Sequence, residues 1–490
     1  MAEAARAARA ARAAFEHGAW SDGHLRSRSL RAIAITLDRS RDRILHAASR
    51  ETGLWTNELA PEFDRMTGTL RLFAELAESD SWRRTAHNPR AGARSIGPDH
   101  DLRSTLIPLG PVAVFGASNF PLAYGVCGGD TTSAMAAGCP VIVKEHPAHP
   151  RTGRLLFRLA RGALRRIGAE TGLPGPIVAG LLQYLPNTDP ARTEVAQSLV
   201  SHPDVAAVGF TGSRGGGLAL ERLARARAVP IPVFAEMGSV NPVRITPRAL
   251  RARGAAIGEA LAASVLARAG QQCTKPGLVF LPPGDGRAAL VEAISQRFRA
   301  ATTRPLLAPW IAEAFRSRLA EIRAMRGVRV VAEGPGVTAG RGDAREARPV
   351  LLEVHARHLR GPMLEEIFGP ACLLVHLDGW DDPRLPRPSS LTWTIHAEAG
   401  DLHDRDGSLA SLPLRREVER ASRAAGRVIF DGVPTGVRVC EAMVHGGPFP
   451  ATNTPWCTAV GPRAIERWTR PVSWQNAPAA LVRRGRARGT

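Results

Sequence analysis

The chain has 490 residues, 44% of them apolar, which is too many for one compact core and calls for two or more domains. Its formal net charge is +20, but the basic residues are scattered along every segment, with no basic block or aromatic-interleaved stripe, so no nucleic-acid partner is expected. There is no apolar run of about 18 residues, so no membrane span is expected either.

In chain order, "MAEAARAARAARAAFEHG" reads as an amphipathic helix and lacks the apolar centre of a secretory signal. Residues 28–80 carry apolar positions at helical spacing and predict two or three amphipathic helices. "VAVFG" predicts a strand, Pro121 is expected to open a helix that Gly138 and Pro140 close, and "PVIVK" predicts a second strand. Such a βαβ unit builds parallel sheets. A helix near 151–166, apolar "PIVAGLLQYL", a helix near 190–200 and the strand "DVAAVGFTGS" continue the alternation. The fold class is therefore α/β, with a doubly wound sheet in a first domain over 1–235. A second α/β domain is expected over 236–448, with a long helix at 249–269 and the strand "GLVFLP". Residues 330–350 read as a surface loop and 381–410 as irregular. A tail, 449–490, is expected to pack back or to meet another copy.

Six cysteines (127, 139, 273, 372, 440 and 457) form no CxxC pair, so zinc is not expected and reduced thiols in the cytoplasm are. The HxxH of "HPAHP" is broken by prolines and predicts no metal. Lysine occurs only at 144 and 275 in a chain that otherwise uses arginine, which draws attention to both positions. Lys275 lies in "GQQCTKPG" beside Cys273. A cysteine in a polar turn is positioned for attack, whereas most lone cysteines are inert small hydrophobes. Glu236 ends an apolar strand, where a carboxylate serves as a base or a cap. Asn119, in a strand-to-helix turn, serves as an oxyanion donor or an N-cap. "GSRGGG", 212–217, follows a strand and precedes a helix, a place where backbone N–H groups meet phosphate, although it is not the GxGxxG pattern.

Jointly these segments resemble the aldehyde dehydrogenase family, in its order and over about residues 28–475. "ASNFPL" resembles the segment of the oxyanion-hole asparagine (Asn119), and "PVIVKEHP" that of the lysine at the adenosine ribose (Lys144). "FTGSRGGG" is similar to the pyrophosphate turn (Gly212, Ser213, Gly217). "AEMGSVNP" is similar to the general-base segment (Glu236), and "GQQCT" to the nucleophile motif (Cys273). "EEIFGP" is similar to the segment at the nicotinamide ribose (Glu366, Phe368). "DGVPTGVRVCEAMVHGGPFPAT" and "RMTGTLRLFAE" look like the branch of the 2,5-dioxopentanoate (α-ketoglutaric semialdehyde) dehydrogenases, which also includes NADP-dependent long-chain fatty aldehyde dehydrogenases.

The resemblance implies oxidation of an aldehyde to an acid through a thiohemiacetal and a thioester on Cys273, with no metal. Pro147 stands three residues after Lys144, where NAD-preferring relatives often have a glutamate. NADP is thus the expected cofactor, with NAD possible, and the direction of Glu145 is open. A dioxo acid calls for an arginine, and Arg65 and Arg71 are the candidates. The implied substrate is 2,5-dioxopentanoate; a fatty aldehyde or a catalytically inactive binding protein are the alternatives. A hydrolase pairing Cys273 with His445 has no supporting motif. A homodimer or homotetramer is implied.

Overall fold

The computed structural model describes residues 2–90, 96, 100–187, 193–335, 344–382, 385–402 and 412–478. One sheet has five parallel strands, in spatial order Leu182–Leu185, Val141–Lys144, Val112–Phe115, Ala207–Thr211 and Val233–Glu236. Its two central strands, "VAVF" and "VIVK", are β-branched and buried along their whole length, as strands covered on both faces must be. The strand order reverses between Val112–Phe115 and Ala207–Thr211, and a doubly wound sheet binds its ligand at that point, beyond the carboxyl ends of the strands.

Helices cover this sheet. Ala2–Glu16 buries Ala4, Ala7, Ala8, Ala11 and Ala14. Its small face lets the helix Gly175–Leu181 approach so closely that a Cβ on Gly180 would lie 2.3 Å from the Ala10 carbonyl oxygen. The amphipathic helices Gly23–Asp38, Arg41–Thr52 and Thr56–Ser79 pack their apolar sides into the same core.

A second sheet has seven strands, in order Arg329–Glu333, Val350–His355, Ala371–His376, Leu278–Leu281, Val243–Ile245, Ser390–His396 and Ala425–Phe430. Only the first pair is antiparallel. A third, antiparallel sheet joins Ala86–Asn88, Leu102–Pro108 and Thr469–Gln475, which ties the tail to the N-terminal half. Trp468, just before that strand, is fully buried in the first core.

Four expectations need correction. The helix after the first strand runs Gly129–Ala137 rather than starting at Pro121. The chain first coils tightly: a Cβ at Gly125 would lie 2.0 Å from the Pro121 carbonyl oxygen. The long helix is Pro247–Leu266, and Ala267–Gly270 is a separate 3₁₀ turn, because Arg268 and Ala269 take φ near +53° and +54°. Region 381–410 holds a seven-residue strand, Ser390–His396, buried throughout; its Thr, Trp and Ile suit a covered pleated surface. Region 330–350 contains the strand residues 330–333 and 346–347. Residues 336–343, 383–384 and 403–411 of these two regions lie outside the described residues.

Candidate active site

Cys273 follows the 3₁₀ turn and is partly exposed between the buried neighbours Gln272 and Thr274. Its turn is latched by Asn241, whose Nδ2 donates to the carbonyls of Cys273 (2.7 Å) and Lys275 (2.9 Å). Asn241 has φ +47°, in the left-handed region that asparagine tolerates, and its Oδ1 accepts from the hydroxyls of Ser239 and Thr392.

Glu236 ends the last strand of the five-stranded sheet and is buried. The free edge of that strand is covered by residues 451–453: Met237 N–H donates to the Ala451 carbonyl, and the Asn453 side chain pairs with Ala235 and Val233. The same loop brings in His445, buried, with its Nε2 2.9 Å from Glu236 Oε1 and 3.7 Å from Cys273 Sγ. Among the described residues, Glu236, Cys273 and His445 form the one cluster of three metal-capable groups, with ligand atoms all within 4.8 Å of one another.

Burial pushes the Cys273 thiol well above its usual range, and the charges of Glu236 and Glu366 add to this while Arg65 opposes it. The resting sulfur is therefore a thiol and needs a base. Burial would raise Glu236 too, but the charge and hydrogen bond of His445 hold its carboxyl below the ordinary value.

Asn119 is buried beside this cluster. One of its two Nδ2 hydrogens goes to the Gln271 carbonyl (2.9 Å), leaving the other for a ligand. Its own carbonyl accepts from Arg268 Nη2 at 2.7 Å, and the same nitrogen reaches Glu62 Oε2 at 2.7 Å. Arg268 also donates through its backbone N–H to Glu58 Oε1 and through Nη1 to the Glu58 carbonyl, and it lies 4.4 Å over the Phe120 ring. Glu62 accepts from the N–H groups of Leu122 and Ala123. Arg268 and Glu62 thus clamp the oxyanion-side turn to the nucleophile turn.

The two arginine candidates separate. Arg65 donates to the Tyr124 hydroxyl at 2.8 Å, and the Tyr124 ring stacks on His445. Arg71 is not brought to the cluster; it pairs with Asp38 and is 44% exposed. Six residues are one and two-thirds helical turns, so the two arginines sit on different faces of Thr56–Ser79.

At the reversal of the five-stranded sheet, Ser213 caps the helix Arg214–Arg225 by accepting from Gly216 N–H. A Cβ at Gly215 would meet nothing within 4 Å, one at Gly212 would strike the Phe210 ring at 2.6 Å, and one at Gly217 would strike Met237 at 2.9 Å. Three glycines after Arg214, the first of them open to solvent, leave backbone N–H groups accessible at a positive helix end, which suits a pyrophosphate. Lys144 ends its strand and is buried. Glu145 turns to Arg154 (2.7 Å), the Tyr184 hydroxyl (3.0 Å) and Asn187 N–H, which balances its charge.

Glu366 is partly buried and packs against Gly238, where a Cβ would come 2.6 Å from Oε2. Burial pushes it up to about 8, with Lys275 pulling it down and Glu236 pushing it up. Phe368 is half-buried beside the first core. Lys275 is buried and donates to the Ala371 carbonyl at 2.8 Å, so its charge falls on Glu366 and Cys372. Sequence reasoning left His445 in a hydrolase reading and missed Tyr124, Glu62, Arg268 and Asn241; the quoted "MVHGGPFPAT" segment carried His445 and "GSVNP" carried Asn241.

A model described as the aldehyde dehydrogenase family matches residues 1–382. The chain is 42% identical over 466 residues to alpha-ketoglutaric semialdehyde dehydrogenase 2 of Azospirillum brasilense, covering 94% of this chain and 84% of that one. It is 37% identical over 466 residues to alpha-ketoglutaric semialdehyde dehydrogenase of Acinetobacter baylyi, covering 93% and 83%. Gamma-glutamyl-gamma-aminobutyraldehyde dehydrogenase from Burkholderia cenocepacia shares the fold, with a TM-score of 0.77 at 21% identity over 97% of this chain and 89% of that one.

Proposed function

The chain belongs to the aldehyde dehydrogenase family, and we propose that it oxidises 2,5-dioxopentanoate to 2-oxoglutarate with a nicotinamide dinucleotide, NADP in preference to NAD. The observation that carries the chemistry is the Cys273–His445–Glu236 contact series beside the Asn119 amide. His445 Nε2, which lies between Cys273 and Glu236, takes the Cys273 proton as sulfur attacks the aldehyde carbon, forming a thiohemiacetal, while Glu236 stays ionised; the proton then passes to solvent. Asn119 Nδ2–H and backbone N–H groups of the turn stabilise its oxyanion; one such donor contributes roughly 2.7–4 kcal/mol. A bound nicotinamide would supply the hydride acceptor, and the thiohemiacetal, on giving up its hydride, would become a thioester on Cys273. Glu236, ionised and buried, then draws a proton from water as it attacks the thioester, and Cys273 leaves as the thiol.

Gly212, Ser213 and Gly217 would hold the pyrophosphate, Lys144 the adenosine ribose and its 2′-phosphate, and Glu366 and Phe368 the nicotinamide ribose. Pro147 in place of a carboxylate and the engagement of Glu145 with Arg154 support NADP. The substrate reading rests on the two semialdehyde dehydrogenase relatives and on Arg65, a cation beside Tyr124 that suits the substrate carboxylate; Arg71, paired with Asp38, is the weaker candidate. Six unpaired cysteines fit a reducing cytoplasm, and a homodimer or homotetramer is the proposed assembly. No helix among the described residues is long and apolar enough to cross a membrane.

The test is NADPH production from 2,5-dioxopentanoate, succinic semialdehyde and a long-chain aldehyde. The highest kcat/KM is expected for the dioxo acid. A preference for the long-chain aldehyde would replace this reading with the fatty aldehyde one.

A further inference from the structure

Cys273, His445 and Glu236 converge from three distant parts of the chain, and their atoms have the spacing of a metal ligand set. Sγ and Nε2 are 3.7 Å apart, and Nε2 and Oε1 are 2.9 Å apart. A tetrahedral zinc ion with ordinary bond lengths places sulfur and nitrogen ligands about 3.5 Å apart and nitrogen and oxygen ligands about 3.3 Å apart. Those two edges are each within about 0.4 Å of the tetrahedral values, and the three ligand atoms lie within 4.8 Å of one another, so closing the set takes a side-chain adjustment that draws sulfur and carboxylate together.

Two further observations point to a cation. Glu236 Oε2 is buried and has no hydrogen-bond partner, although its residue is only 5% exposed. A lone buried carboxylate oxygen is costly, and a metal ion is one of the partners that relieve it. The Glu236 charge also bears on the sulfur, so a cation held there would sit between a carboxylate and a thiolate. Softness of the ligands selects the ion: thiolate, imidazole and one carboxylate suit zinc, whereas magnesium and calcium prefer oxygen alone.

We propose that the Cys273–His445–Glu236 cluster is a reversible inhibitory site for zinc, three protein ligands leaving the fourth position open to the partly exposed side of Cys273. Binding exchanges the thiol proton, released to solvent, for a sulfur–zinc bond. It takes His445 Nε2 as a neutral ligand, with the ring proton on Nδ1, and removes both the nucleophile and the base from use. Nothing is oxidised, so chelation restores the enzyme. The site stands on this geometry and not on the identity of the aldehyde, and it is tested without substrate or cofactor.

The experiment titrates the reduced, metal-free full-length protein with zinc by calorimetry and with cobalt by absorbance. The expected result is one ion per chain, a thiolate-to-cobalt charge-transfer band, and protection of Cys273 from iodoacetamide that a chelator reverses. Cys273→Ser is expected to lose the band, and His445→Gln to weaken zinc by at least about 100-fold, more than loss of an outer-shell partner costs. A double Cys440→Ser, Cys457→Ser variant, which removes the other two partly exposed thiols, is expected to bind as the parent does. The proposal is overturned if the band survives Cys273→Ser, if the double variant loses it, or if zinc leaves the iodoacetamide rate at Cys273 unchanged. The last measurement uses the unaltered protein, so a variant that fails to fold does not rescue the idea.

Discussion

Arg268 donates a 2.7 Å hydrogen bond to the backbone carbonyl of Asn119, and so the residue that opens the nucleophile turn also fixes the residue beside the expected oxyanion. The guanidinium is 8% exposed, and its partner Glu62 is 2% exposed. Arg268→Met leaves that carboxylate unpaired in the interior, which typically costs about 3–5 kcal/mol. Chemical denaturation should show a loss of that size. Arg268→Lys keeps the charge but not the fork of donors; it is expected to fold, bind NADPH normally and lose kcat. An unchanged kcat would remove Arg268 from positioning.

Cys273→Ala should abolish dehydrogenase turnover while NADPH binding persists, as read by fluorescence titration. Glu236→Gln should retain one burst of NADPH per active site and then stall, because thioester hydrolysis lacks its base. A steady state near that of the parent would reassign the base, with His445 the first alternative at 2.9 Å.

Arg65→Ala should raise KM for 2,5-dioxopentanoate roughly 10- to 100-fold, the effect of losing a charge-assisted contact of about 1.5–3 kcal/mol. Its effect on an uncharged aldehyde should be much smaller. Arg71→Ala should change neither, since its partner is the half-exposed Asp38. Equal effects of the two arginine variants would contradict the placement.

Pro147→Glu should move kcat/KM from NADP toward NAD by placing a carboxylate near the 2′-phosphate, and Lys144→Ala should reduce kcat/KM for NADP most. A parent enzyme with a clear NAD preference would refute the cofactor proposal.

Glu366 gives a pH signature. Its folded value of about 8 lies above that of an unfolded glutamate. The folded state therefore holds the extra proton between those two values, and stability falls as pH rises across that window. The stabilising contribution is complete below the unfolded value and lost as pH passes about 8. Glu366→Gln should flatten the decline in denaturation midpoint between mildly acidic and mildly alkaline pH; an unchanged slope would show that the carboxyl titrates normally.

Much of the architecture was legible because it is local. "VAVFG" and "PVIVK" announce buried parallel strands, and Cys273, Glu236 and Asn119 each sit at an element end with a recognisable segment around it. The rest depends on distance along the chain. His445 is 209 residues from Glu236 and 172 from Cys273, and no periodicity records that meeting. Arg268 is one arginine among dozens, distinguished only by its positive φ and its four partners. The strand Ser390–His396 hid between Pro- and Asp-rich flanks, where turn signals outweighed a short β-branched run. Arg71 shared a quoted segment with Arg65, but helical geometry sent it to another face.

The pairing of Thr469–Gln475 with Leu102–Pro108 also constrains the order in which the molecule can be made. The strands of the seven-stranded sheet all lie between residues 243 and 430, so they can assemble as soon as that stretch leaves the ribosome. The N-terminal half, although synthesised first, waits for Trp468 to fill its core and for the last strand to cover an exposed edge. The first part to be translated is thus the last to be completed, and a nascent chain stalled before residue 469 carries Leu102–Pro108 with one edge unpaired.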